Sequence, residues 1–489
     1  MECLALLGKP EILREELAPL APVTLSDLLN EAPTSRFHRR AVLISGMGFF
    51  TDAYDLFVIG TVAAIVTTQW HLDTTETSWV TGSALLGAVL GAFVFGRLAD
   101  VLGRKSVYTL VAAIMIVGAV ASAFSPDFVC LVVARFVLGL GVGGDYPVSA
   151  VLMSEYSNRH DRGRLVSMVF SMQALGLIVG PIVGLTLLGS GISQALSWRL
   201  LLGLGAVPAA AVIYLRSKMP ESPRFQARVQ GHAESAARDA AGFSEGVLDV
   251  SKVSVGATRR MGLREFLSNP RMLLLLVSTA GCWFLFDYAY YGNTLSLPAI
   301  LKSVDAHASL EAKLAFTLGI FVVFALPGYA MAVLHMDRIG HKRLQLIGFS
   351  VIAVAFLVLG AIPQLTSSVV PFLAVFGLSY FFVEFGPNTT TFVLPSEVFP
   401  VSMRATGHGF AAGVGKFGAF IGVFLVPQLQ RHIGLRGMLI VAAGAAICGL
   451  LLSLVLPEPA RRSLEQVSGE DEELALGSDP SADLLSQAS

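Results

Sequence analysis

Seven ionisable side chains stand inside stretches of sequence that are otherwise apolar: Asp52, Asp55, Arg135, Asp145, Asp287, Glu384 and Lys416. In a lipid-spanning segment such a charge costs roughly 2.5–3.5 kcal/mol even on lenient insertion scales, so each needs a partner or a task. The acids outnumber the bases, and local neutrality therefore expects some carboxyl groups to carry a proton for part of a working cycle. Carboxyls that take and release protons within a membrane are what a proton-coupled carrier requires; the competing reading is a static ion-pair network that locks helices together. In GMGFFTDAYDLFVIG (46–60), Asp52 and Asp55 lie three apart and share a helix face. In RFVLGLGVGGDYPVSA (135–150), Arg135 and Asp145 are separated by about 15 Å of helix. The glycines between them permit close helix packing, and Pro147 loosens the backbone beside Tyr146. In CWFLFDYAYYG (282–292), Trp283, Asp287 and Tyr291 recur every four residues as one stripe. Asn388 sits beside the Gly-Pro break of FFVEFGPNTTTFVLPSEVFP (381–400), and Gln173 in SMQALG completes the polar set.

The elements that must position these groups follow from composition. Apolar residues make up 54% of the 489, and charged residues only 14%, far too few to cover a soluble surface. Mean hydropathy is +0.68. The chain is thus expected to be an all-α polytopic membrane protein. Twelve apolar runs approach the roughly 20 residues needed for a crossing. They fall near 41–67, 79–99, 106–124, 128–152, 165–189, 198–215, 272–299, 314–335, 344–362, 369–394, 406–427 and 437–456. A net charge of −1 gives no basic field for nucleic acid. The four cysteines form no CxxC pair, so neither a disulfide framework nor a metal site is expected. No catalytic motif of the GxSxG or HExxH kind occurs in a plausible setting, and neither an enzyme nor a cofactor is expected.

Most Lys and Arg residues fall in the N-terminal arm, the central linker, the C-terminal tail and alternate short loops, which puts both termini in the cytoplasm. RLADVLGRK has three basic residues, whereas QWHLDTTETS and SPD on the other side have none. The two halves also echo one another. Asp100 in RLADVLGRK matches Asp337 in HMDRIGHKR, and PESPR at 220–224 matches PEPAR at 457–461 at the same offset; SEYSNRHDR likewise matches SEVFPVSMR. Such correspondence indicates a duplicated six-helix unit. The expected organisation is a cytoplasmic arm (1–40), a six-helix half (41–216), a cytoplasmic linker (217–270), a second six-helix half (271–457) and a disordered acidic tail (458–489). A substrate site between the halves with alternating access follows from that layout.

GRLADVLGRK (96–105) resembles the loop signature of the major facilitator superfamily, and MPESPRF (219–225) resembles the motif after the sixth helix of its sugar and phosphate porters. GFFTDAYDLF, GVGGDYPVSA, FGPNTTTF, PSEVFP and HGFAAGVGKFGA are similar to signatures of that superfamily's phosphate:proton symporters, over about residues 40–460. The resemblance implies two pseudo-symmetric six-helix halves that import inorganic phosphate with protons across the plasma membrane, a monomer sufficing. It implies phosphate ligands at Tyr146, Gln173, Trp283, Asp287, Tyr291 and Asn388. It places the proton route at Asp52, Asp55, Asp145 and Asp287, with Arg135 and Lys416 as charge partners. Asp52 either carries protons or orients Asp55 or Arg135. Glu155, Arg162, Glu397 and Arg404 read as cytoplasmic gate or salt-bridge positions rather than ligands, and His408 as structural. Glu384 departs from the pattern, since the family commonly has an uncharged Asn there; the extra carboxylate adds a protonation site, alters stoichiometry or marks a modified substrate. The remaining alternatives are a proton symporter of another small anion or a sugar, and a phosphate-sensing transceptor.

Overall fold

The computed structural model describes residues 24–243, 260–295 and 309–470, together with 297, 300, 301 and 307. Every regular element of these is helical. Ten single spans are α1 (Arg36–Trp70), α2 (Thr74–Leu102), α3 (Arg104–Ala123), α4 (Phe128–Tyr156), α5 (Arg162–Gly189), α6 (Gln194–Ser217), α7 (Pro270–Leu295), α8 (Glu311–Ile339), α9 (His341–Ala361) and α10 (Val369–Val398). A last helix, Arg404–Ser453, is broken at Gly434, where φ is 71° and ψ 173°. It supplies two spans, α11 (404–433) and α12 (435–453), and α12 runs back beside α9: Arg436 Nε donates to the Gly360 carbonyl at 2.8 Å, while Gly449 meets the Phe349 ring. The twelve crossings of the sequence reading are thus present. Short polar loops start the helices: Ser35, Asp73 and Asp127 accept hydrogen bonds from first-turn amides of α1, α2 and α4.

Lipid is as apolar as the side chains it would replace, so close packing rather than apolar burial must hold the spans together. Glycine supplies that closeness. A Cβ added at Gly139 or Gly143 of α4 would collide with the Ala84 or Ala88 carbonyl of α2, and one at Gly418 or Gly422 of α11 with the Phe284 or Tyr288 carbonyl of α7. Gly143→Ala should therefore push α4 off α2 at a cost of about 1–3 kcal/mol, as overpacking generally does. A thermal melt of the purified protein unchanged by the substitution would contradict this.

At the end that carries the termini the duplication is visible in atomic detail. Gly103 and Gly340 turn the chain with φ of 99° and 104°, conformations that suit glycine. Asp100 accepts from the Ala405 and Thr406 amides (3.3 and 2.6 Å) at the start of α11. Its counterpart Asp337 accepts from the Gly163 and Arg164 amides (3.0 and 2.7 Å) at the start of α5. Each aspartate thus caps a helix of the opposite half, where the N-terminal dipole favours an anion. Glu221 and Glu458, from the matched PESPR and PEPAR strings, accept amides at the starts of α3 and α9.

One expectation fails here. Residues 458–470 do not form a disordered tail: Leu464–Ser468 is a helical turn, and Glu465 and Glu470 are buried. The reason is charge. Glu465 lies 3.8 Å from Arg224 and 3.7 Å from Arg228, and Asn30 donates to it at 3.3 Å. Burial pushes the Glu465 carboxyl up, but the guanidinium groups outweigh it and hold it well below the usual carboxylate range. Residues 471–489 of that tail lie outside the described residues.

Candidate functional site

The polar residues of the spans converge near the middle of the bundle. Gly415 and Gly418 let α11 lie directly on α7, against Trp283 and the Phe284 carbonyl. Lys416 is thereby aimed at the α7 stripe, donating to Asp287 Oδ2 at 2.9 Å and to the Tyr291 hydroxyl at 3.0 Å. Its ammonium also sits over the Tyr291 and Tyr146 rings, 4.3 and 4.6 Å from their centroids. Ring faces carry negative charge density, so the lysine keeps favourable surroundings although it is withdrawn from water. From Tyr146 a hydrogen-bond chain runs across both halves. Gln173 Nε2 donates to the Tyr146 hydroxyl (3.1 Å), Tyr329 donates to Gln173 Oε1 (3.1 Å), and Asn388 Nδ2 donates to the Tyr329 hydroxyl (2.8 Å). Asn388 also donates to Glu384 through a short bond, and Tyr290 donates to the same carboxyl at 3.1 Å. The break at Gly386 (φ −115°, ψ −110°) is what turns Asn388 into this position.

All six residues expected as ligands, Tyr146, Gln173, Trp283, Asp287, Tyr291 and Asn388, therefore share one cluster with Lys416 and Glu384. It is sealed along the bundle axis. Toward the terminal end, Phe49 and Phe170 pack on Phe392 with ring centroids 4.9 and 4.5 Å away. On the other side Phe57 stacks on Tyr291 at 5.7 Å. No side chain of the cluster is more than 4% exposed.

The expected proton carriers of the first half are distributed differently. Asp145 immediately precedes Tyr146 in the chain, yet its carboxylate turns away into the α1–α3–α4–α6 interior. There Arg216 holds it with two bonds of 2.8 and 2.9 Å, and Ser149 donates at 3.1 Å. Arg216 lies over the Tyr108 ring, in space that exists because residue 48 is glycine. Arg135 faces Asp55 instead, 4.0 Å from its carboxylate and 3.1 Å from its backbone oxygen. Asp52 is buried and neither oxygen meets a hydrogen-bond donor among the described residues. His408 contacts the Phe392 carbonyl at 3.0 Å and stands edge-on to Trp283. Sequence reasoning missed Arg216, Tyr329 and Tyr290. Arg216 ends the sixth apolar run, where a basic residue reads as a simple anchor, and the two tyrosines carry no charge to draw notice.

Glu155, Arg162, Glu397 and Arg404 meet as ion pairs between the halves. Glu155 Oε1 takes Arg104 of its own half at 3.2 Å and Arg404 of the other at 3.0 Å; Arg162 pairs with Glu397 at 3.1 Å.

Two six-helix halves closed around a sealed polar cluster, with charged latches at one end, define a secondary transporter of the major facilitator fold. Residues 41–470 match the sugar (and other) transporter family. The chain is 36% identical to low affinity inorganic phosphate transporter 4 of Medicago truncatula, covering 91% of this chain and 94% of the relative. It is 35% identical to inorganic phosphate transporter 1-2 of Oryza sativa subsp. japonica, covering 91% and 96%. The chain belongs to this transporter family, in the branch that holds the plant inorganic phosphate transporters. Among solved structures, the proton:xylose symporter bound to 6-bromo-6-deoxy-D-glucose has the same fold, with a TM-score of 0.76 at 20% identity over 89% of this chain and 99% of that one. The inward-open xylose transporter from E. coli follows at 0.62 and 18% identity, covering 88% and 98%.

Proposed function

We propose that this protein imports inorganic phosphate together with protons by alternating access, from the outside of a plasma membrane to a cytoplasm that holds both termini. The observation that carries the reading is the Lys416–Asp287 pair, ringed by Tyr146, Gln173, Trp283, Tyr291 and Asn388. Phosphate near neutral pH is a tetrahedral anion that both donates and accepts hydrogen bonds. Tyr, Trp, Gln and Asn offer donors without fixed positive charge that would trap it. An ionised Asp287 repels the anion; protonated, it becomes a donor to it. It also accepts from a P–OH group, which sulfate lacks at that pH, so discrimination and coupling reside in one side chain. The relatives named as inorganic phosphate transporters support the substrate, the buried carboxyls support the proton, and the short-loop charges support the sidedness. A sugar is served less well by a site with a lysine–carboxylate pair at its centre.

Labelled phosphate uptake into proteoliposomes, with and without an acid-outside gradient and against excess sulfate and glucose, tests this directly. Gradient-driven uptake that resists both competitors is expected. Folded protein that takes up no phosphate would overturn the assignment, and binding without flux would make the protein a sensor. In the same assay Asn388→Ala removes a donor to a charged ligand, worth about 1.5–3 kcal/mol. The half-saturating phosphate concentration should rise roughly tenfold to a hundredfold. Unaltered affinity would take Asn388 out of the site.

A further inference from the structure

Glu384 lies in the cluster but differs from every other acid there in its surroundings. It is fully buried, two residues before the Gly386 break of α10, and the backbone of Gly328 in α8 gives its side chain room to approach. The groups that face it are Tyr290 and Tyr291 on α7, Tyr329 on α8, and Tyr380 and Asn388 on α10. Its direct partners, Tyr290 and Asn388, are neutral, and no Lys, Arg or His stands within ion-pair distance of it among the described residues. Lys416, the one cation of the cluster, is engaged by Asp287 and Tyr291. An arriving anion would thus meet a second negative charge without a counter-ion, an arrangement that a low-dielectric interior does not sustain.

Asn388 shows how that conflict resolves. Its amide nitrogen has two hydrogens, and both are used, one by Tyr329 and one by the Glu384 carboxylate. Asn388 can donate to an anion only by giving one of them up. A proton on Glu384 replaces an acceptor with a hydroxyl and frees that donor. On its far side Tyr290 borders a cavity of about 20 Å³, lined also by Asn293, Ser379 and Tyr380. The Asn293 amide nitrogen and oxygen find no partner among the described residues.

We infer that Glu384 is a second proton-binding residue of the transport cycle: it takes a proton from the outer medium as the anion arrives, releases Asn388 to that anion, and gives the proton up inside when the anion leaves. Each phosphate then travels with one proton more than Asp287 accounts for, and the inference rests on the phosphate–proton reading above.

The test is the accumulation ratio of labelled phosphate at equilibrium with an imposed pH gradient, membrane voltage clamped to zero, for wild type and Glu384→Gln. One proton fewer per anion lowers the ratio about tenfold for each unit of pH difference, because coupling is a product of gradients. A Gln variant that is slower but reaches the wild-type ratio would show a merely structural role and overturn the inference alone. Wild-type protein that fails to accumulate phosphate under a proton gradient would overturn the carrier reading and this inference with it. Should Glu384→Gln not fold, Tyr290→Phe serves instead. It removes a donor to the ionised carboxylate, so the pH at which phosphate affinity falls should move upward; an unmoved profile would also overturn the inference.

Discussion

Asp287→Asn should convert the carrier into an exchanger. Labelled phosphate would still equilibrate between phosphate pools on the two sides, while net uptake into empty vesicles collapses. The reason lies in the unloaded protein. Net transport requires the binding site to return empty, and in the empty site Lys416 is neutralised by Asp287 at 2.9 Å. Asparagine keeps the shape but leaves a buried ammonium without its counter-ion, and breaking a buried pair in this way costs about 3–5 kcal/mol. With an anion bound the lysine is satisfied again, so the loaded step survives. The empty return should slow by about two to four orders of magnitude, the kinetic equivalent of that cost. Counterflow and net uptake measured on the same vesicles separate the two limbs. Wild-type net uptake by the variant would refute the role given to Asp287.

A second large effect is expected at the terminal end of the bundle. Glu155 holds Arg104 and Arg404 through a single oxygen, and so ties the halves together while balancing two buried guanidinium groups. Glu155→Gln removes the one charge that joins the halves here, leaving Arg104 to Asp100 at 3.0 Å and Arg404 to the more distant Glu470 at 3.9 Å. The closed arrangement loses roughly 3–5 kcal/mol, and an equilibrium between closed and open at that end shifts by the same amount. Ser396, buried beneath the latch where its carbonyl accepts from Ser154, reports on this. In a background without the native cysteines, Ser396→Cys should react with a polar maleimide at least tenfold faster when Glu155 is Gln. Equal labelling rates would show that the latch does not set the resting conformation.

Much of this arrangement was readable in the sequence because membrane spans are written in long apolar runs, and charges within them are conspicuous. The Trp283–Asp287–Tyr291 stripe needed only helical spacing, and the Gly386-Pro387 break announced why Asn388 could face inward. The duplicated loop strings foretold two equivalent halves, which now appear in the matching helix caps made by Asp100 and Asp337. What spacing could not supply was partnership between distant helices. Asp145 shares its helix with Arg135 but is held by Arg216, 71 positions along the chain. Tyr329 reaches Gln173 from the opposite half. Residues 458–470 have the composition of a solvated tail and fold only because Arg224 and Arg228 await their acids. Local pattern reveals which groups are costly to bury, and only the fold reveals which of them meet.

The pairing of Lys416 with Asp287 has an electrical consequence. Within the polar cluster these two cancel, so an ionised Glu384 is the net charge of the unoccupied site. Protonation of both acids and arrival of a phosphate monoanion bring the loaded cluster to zero. A membrane potential, negative inside, then exerts no force on the loaded cluster but drives the unloaded one outward, with up to about 2.3 kcal/mol per 100 mV for a charge that crosses the whole field. Voltage would act as the reset of the cycle rather than as its power stroke.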